Sequence, residues 1–271
     1  MIRFLLILIL ALPLRGAERY DIITPTTTNA AIYTLEYGIG FDGFDSANRI
    51  AALTIATNIA ISLTNGSYNN WIRTNNNRIR VVAILTNSAS NGSGGYSAPQ
   101  SSTPFGGYIS GASVLMNSTY QSTIFTEVGA DQYYPIVVLN RGDYAATTSG
   151  LYRIGMTTNS DLNIVLHETG HSVAGLGEEY ASNWTSTFAN SSSDLTSATN
   201  KWLVTFPSLG APVSISTGYK PTATCKMNVQ SDGFCVVCSN EFVRILGWTN
   251  FPAALVQQSV GRINIGTLQF R

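Results

Sequence analysis

Histidine is nearly absent from this chain: His167 and His171 are the only two among 271 residues. Charge is scarce too. Fifteen basic and 15 acidic side chains make up 11% of the sequence and cancel to a net charge of zero. An average domain carries about 25% charged residues, so Ser, Thr and Asn fill the polar positions here, a composition that suits an extracytoplasmic protein. The balanced charge excludes the basic excess expected of a partner for nucleic acid or an anionic membrane surface. Cysteine is confined to Cys225, Cys235 and Cys238, in one short stretch. In an oxidising compartment one pair could close a disulfide and leave one thiol over, and the sequence does not choose the pair. Beyond the N-terminus no apolar run is long enough for a transmembrane helix.

What is present begins with a leader. Arg3 precedes the apolar run Phe4 to Leu12, then come Pro13 and the small pair Gly16-Ala17. A basic start, a short apolar stretch and small residues at its end predict a signal peptide over 1–17. The remaining residues, 18–271, predict a single soluble catalytic domain secreted to the periplasm or the cell exterior, with no stable membrane insertion. Roughly 250 residues suffice for a substantial core.

Along the chain, Thr24 to Asn29 is uncharged and polar and reads as a loose lead-in. Ala31 to Phe41 is rich in β-formers and ends at Gly38, Gly40 and Gly43, which predicts a strand and a turn. Ala52, Ile55, Ile59 and Leu63 recur at helical spacing within Ser46 to Leu63. Ile79 to Leu85, Tyr134 to Leu139 and Leu151 to Met156 read as strands, Tyr120 to Gly129 as a helix, and Val236 to Trp248 as a closing helix. Thr86 to Gly111 and Ala181 to Thr199 are dense in Ser, Thr, Asn and Gly and read as loops. Strands alternating with helices predict an α/β or α+β layered fold. The N-x-S/T sequons at Asn65, Asn91, Asn117, Asn183 and Asn190 are near chance in such a composition.

The informative segment is Asn163-Ile164-Val165-Leu166-His167-Glu168-Thr169-Gly170-His171. Ser160 or Asp161 can cap a helix here, and Leu162, Val165, Leu166 and Val173 form its apolar stripe. Residues four apart lie one turn above each other on the same face, so both imidazoles can reach one metal ion. Glu168 can project into the same cleft. This is the H-E-x-x-H pattern, in which zinc takes imidazole nitrogens and an adjacent carboxylate serves as general base. Zinc lowers the pKa of its water to about 7. The third ligand cannot be histidine, because none is left. Gly175 or Gly177 can turn the chain back, and Glu178 or Glu179 could then reach the metal. Glu241 is a more distant alternative.

These residues resemble a known family. His167-Glu168-Thr169-Gly170-His171, continuing through Gly175-Leu176-Gly177-Glu178-Glu179-Tyr180, is similar to the H-E-x-G-H and G-L-x-D-E-Y signature of the immunoglobulin A peptidase family of zinc metallopeptidases. A second block agrees: Cys225-Lys226-Met227 followed by Phe234-Cys235-Val236-Val237-Cys238 matches C-x-M and F-C-x-x-C. Together the blocks cover a minor part of the chain. The resemblance implies a metzincin-like fold with an upper mixed sheet (18–175), a central metal helix and a smaller lower part (176–271). It implies one catalytic Zn2+ held by His167, His171 and Glu178, with Glu168 as general base and Met227 in the turn beneath the metal. The family's Asp falls on Glu178, one methylene longer. The resemblance also implies that the cysteines staple the lower part. A second zinc on three cysteines lacks a histidine to complete it.

The function implied is a secreted endopeptidase acting on protein or peptide. The alternatives are a catalytically silent zinc-containing binding or surface protein, against which the intact Glu168 argues, and a zinc amidase on cell-wall peptides. Tyr152 to Met156 is the strand along which an extended substrate is expected to lie. Natural substrate, cleavage preference and oligomeric state are not encoded in these motifs.

Overall fold

In a computed structural model of the chain, the described residues are 17–23, 35–64, 78–86, 88, 103–111, 113–127, 134–142, 146–148, 154–158, 160–180 and 188–247. The leader, apart from Ala17, lies outside them, as do the lead-in 24–29, Tyr152 and the loop segments 89–102 and 181–187.

Valine, isoleucine and leucine cluster in three segments that become the sheet centre: β2 (Leu35–Asp42), β3 (Ile79–Leu85) and β6 (Tyr134–Leu139). Each is buried on both faces over most of its length, as parallel strands covered by other layers are. The six-stranded sheet has the order β1-β3-β2-β6-β8-β7. β2 is parallel to β3 and to β6, and β6 is parallel to β8 (Ile154–Thr157). Both outer strands, β1 (Glu18–Ile23) and β7 (Ala146–Thr148), run antiparallel to their neighbours. The mixed sheet with several helices agrees with the expected α/β or α+β class.

One face of the sheet carries α1 (Arg49–Thr64) and the metal helix α3 (Leu162–Ser172). Ala52, Ile59 and Leu63 of α1 share a core with Val165 and Leu166 of α3 and with Ile136 and Val138 of the sheet. Each large side chain buried there contributes about 1.5–3 kcal/mol. The hydroxyl of Ser62 also donates to the carbonyl of Leu162, at 3.3 Å. The opposite face is covered by α2 (Ser118–Glu127) and by a hairpin of β4 (Tyr108–Ser110) and β5 (Ser113–Leu115). Here Phe105, Ile109, Val114, Ile124 and Phe125 pack on Val137 and Leu139.

After α3 come α4 (Leu195–Trp202), the hairpin β9 (Val213–Ile215) with β10 (Gly218–Lys220), and the closing helix α5 (Val236–Leu246). Cys225, Met227, Phe234 and Phe242 join the same core as the metal helix. The closing helix ends at Gly247, whose φ of 64° is left-handed, so the stop expected near Trp248 falls at this glycine.

Several local expectations need correction. Gly38 and Gly40, expected to mark a turn, lie inside β2. Ala181 to Thr199 is not all loop, because Asp194 accepts from the Ser197 amide and caps α4, while Ala198 and Trp202, four apart, bury one face. Thr86 to Gly111 is not all loop either, since its end forms β4. β1 was not expected at all. Finally, β8 is no substrate edge: it is paired on both sides, by β6 and β7.

Candidate metal centre

Helix α3 starts where Asp161, in extended conformation, accepts from the Asn163 amide at 2.8 Å. Of the two candidate caps, Asp161 takes the role, while the Ser160 hydroxyl accepts from the Thr157 amide in the turn behind it. The helix ends at Ser172 and the chain reverses at Gly175, whose φ of 60° only glycine adopts without cost. The Leu176 amide then donates back to the Gly170 carbonyl at 2.9 Å. This reversal lays the Leu176 carbonyl against His171 and carries Glu178 over the helix face.

The two imidazoles are oriented by backbone. His167 Nδ1 lies 2.9 Å from the Lys226 carbonyl and His171 Nδ1 lies 2.7 Å from the Leu176 carbonyl. Each Nδ1 must therefore carry a proton, which leaves the Nε2 lone pairs facing each other at 3.2 Å. Glu178 completes the triangle, with Oε1 3.1 Å from His171 Nε2 and Oε2 3.2 Å from His167 Nε2. Three acceptors in mutual contact repel unless a cation lies between them. A proton on His171 can serve one pair at a time, whereas a metal ion serves all three. Ligands at 2.0–2.1 Å in tetrahedral array sit about 3.3 Å apart, which matches these spacings. The donor set of two neutral imidazoles and one carboxylate, with both imidazoles held from behind, suits zinc.

Electrostatics agree with the crowding. Burial opposes the Glu178 charge, but hydrogen bonds and the charges of both histidines outweigh it and hold the carboxyl down at about 2. Burial likewise opposes an imidazolium at His171, yet Glu178 and then Glu168 raise its pKa above the ordinary value.

Glu168 is buried and, with His171, Glu178 and Tyr180, lines a cleft of about 480 Å³. Ser113 of β5 and Thr147 of β7 form another part of its wall. Tyr180 has an exposed side chain whose ring stacks on His167, centroids 6.2 Å apart. Its phenol pKa is raised by partial burial and by the charges of Glu178 and Glu168. Met227 is fully buried against α3 at Gly170.

The sequence left Glu178 and Glu179 open, and the structure separates them. Glu178 faces the histidines. Glu179 points the other way, fully buried, with Oε1 3.5 Å from Cys238 Sγ and 3.1 Å from Asn190 Nδ2. Burial, then the nearby Cys225, push its carboxyl up to about 9. Glu241 is paired with Arg244 at 2.6 Å and is not among the residues grouped at either cluster. The three cysteines form no disulfide, and the Cys225 and Cys238 sulfurs lie 3.6 Å apart.

Asn190 was read only as a chance sequon. It is buried, bonds both backbone groups of Gly177 and reaches Glu179, so it braces the loop that carries the third ligand. Its Asn-Ser-Ser sequence carried no such signal. The chain matches no known protein family and no curated protein, so the family resemblance rests on the two motif blocks.

Proposed function

We propose that this chain is a secreted zinc-dependent endopeptidase with a metzincin-like arrangement, related in its site to the immunoglobulin A peptidase family. One observation carries the reading: His167, His171 and Glu178 present acceptor atoms 3.1–3.4 Å apart, beside a cleft lined by Glu168 of the same helix. Zinc held there would acidify a water to a pKa of about 7 and polarise a peptide carbonyl. The protein's own residues do the rest. Glu168 takes the proton of the attacking water and later delivers it to the leaving amine, as a general acid–base group does. The carbonyls of Lys226 and Leu176 keep both imidazoles in the tautomer whose Nε2 faces the metal. Tyr180 lines the same cleft and could offer its hydroxyl as a hydrogen-bond donor to a substrate oxygen. β7 ends the sheet among the described strands, and Thr147 lines the cleft, so an extended peptide can pair along that edge.

The test is Glu168→Gln beside the wild type, with zinc content and cleavage of unfolded protein measured on both. The expected outcome is equal metal in both and a roughly 10²–10⁴-fold loss of hydrolysis in the variant. Metal in both without cleavage by either would favour the silent binding protein. Release of peptide from peptidoglycan with none from protein would favour the cell-wall amidase. A wild type whose zinc content is unchanged by His171→Ala would sink the proposed centre.

A further inference from the structure

Behind the histidine site lies a second cluster of metal-ligating atoms that the reaction does not use. One atom each from Glu179, Cys225, Cys235 and Cys238 lies within 4.8 Å of the others, and all four residues are buried. We propose that these residues bind a second zinc ion with a structural role, and that this ion fixes the backbone carrying the ligands of the first.

The geometry favours a metal over a disulfide. Zinc–sulfur bonds of about 2.3 Å in a tetrahedron place sulfurs about 3.8 Å apart, and sulfur and oxygen about 3.6 Å apart. The observed Cys225–Cys238 separation is 3.6 Å and the Cys238–Glu179 separation 3.5 Å. A Cys225–Cys238 disulfide would strand Cys235 and a buried carboxylate. Glu179 Oε2 is already buried with no hydrogen-bond partner among the described residues, and a buried polar atom left unpartnered is costly. Cys235 and Cys238 form a C-x-x-C pair at the start of α5, with Cys235 at the N-cap, where the helix dipole favours thiolate. The Cys235 amide donates to Cys225 Sγ at 3.3 Å. The Asn190 amide donates to Glu179 Oε1 at 3.1 Å and orients the carboxyl from outside the cluster. The carboxylate thus takes the place that no histidine could fill.

The two centres share covalent neighbours. Glu178 and Glu179 are adjacent, one to each site. Cys225 binds at the second site, the next residue's carbonyl holds His167, and the Met227 carbonyl accepts from the Glu179 amide at 2.8 Å. Holding Cys225 and Glu179 on one ion therefore holds both Glu178 and the His167 partner in place.

The experiment uses the full chain, isolated with its metals. Metal analysis is expected to give two zinc ions per wild-type chain, one in His167→Ala/His171→Ala, and one in Cys235→Ser/Cys238→Ser. Cobalt exchange should produce thiolate-to-cobalt charge transfer in the wild type and in the histidine variant. Denaturation in chelator should free three thiols. Zinc lost wholly with the histidines, no thiolate–cobalt band, or a single free thiol would each overturn the second site. The histidine variant keeps the test decisive if the cysteine variant does not fold. A wild type that holds only one zinc, undiminished in the histidine variant and giving the thiolate band, would instead overturn the histidine centre alone. Losing the second ion should weaken metal binding at the histidines about 10–100-fold, and an unchanged affinity there would overturn the coupling.

Discussion

Gly170 sits between the two histidines' turns with no room to grow. A Cβ there would lie 2.4 Å from Met227 Sδ and 3.1 Å from the Phe234 ring. Met227 is fully buried, so the sulfur cannot simply swing into solvent. Gly170→Ala should cost about 1–3 kcal/mol by overpacking, and a thermal melt that matches the wild type would count against this contact. At the same scale, Glu178 raises the proton affinity of His171 in the metal-free protein. A folded pKa above the unfolded 6.5 means that the pair's stabilisation is present below 6.5 and lost as pH rises through the folded value. Glu178, lowered from 4.5 to about 2, contributes fully above pH 4.5 and loses that contribution as pH falls from 4.5 toward 2. Metal taken up at the proposed centre would therefore displace the His171 proton. Calorimetry in buffers of different ionisation enthalpy should show proton release near pH 6.5 that fades as pH rises, and Glu178→Gln should reduce it.

At the scale of elements, glycine again decides what can pack. Gly38 and Gly40 of β2 lie under the rings of Phe125 and Phe105, and a Cβ on Gly40 would come 2.5 Å from Phe105. The sheet is bare at these positions so that two aromatic rings can seat on it. Gly40→Ala is expected to lower stability by about 1–3 kcal/mol without touching metal content, a contrast that melting and metal analysis together would check. The central strands were legible from sequence because runs such as Ile79 to Leu85 are β-branched and bounded by polar turns. β1 was not, because its side chains alternate only between exposed and half-buried and include Glu18, Arg19 and Asp21. β7 has three residues, too few for any period. α4 was hidden by its Ser, Thr and Asn content, although Ala198 and Trp202 bury its inner face.

Over the whole molecule, one continuous core joins the sheet, the helix that carries both histidines and the closing helix, so metal held at the proposed centres would be linked to the stability of the fold. A ligand at 100 times its Kd stabilises the native state by about 2.7 kcal/mol. Chelation should therefore lower Tm, and restoring zinc should recover it. A melting temperature indifferent to chelator would show that neither centre holds metal in the folded protein.

The sequence alone determined the features that depend on short-range periodicity: the strands of the sheet centre, the α/β class, and two imidazoles on one helix face. These follow from spacings of two, three and four residues, which the backbone imposes wherever the element forms. The choice between Glu178 and Glu179 belonged to the tertiary structure. It depends on the left-handed turn at Gly175, on Asn190 bracing Gly177, and on a segment some fifty residues further along whose carbonyls hold His167 and the Glu179 backbone. Adjacent in the chain, Glu178 is grouped with the histidines and Glu179 with the cysteines. Which went where was set by contacts that no local spacing records.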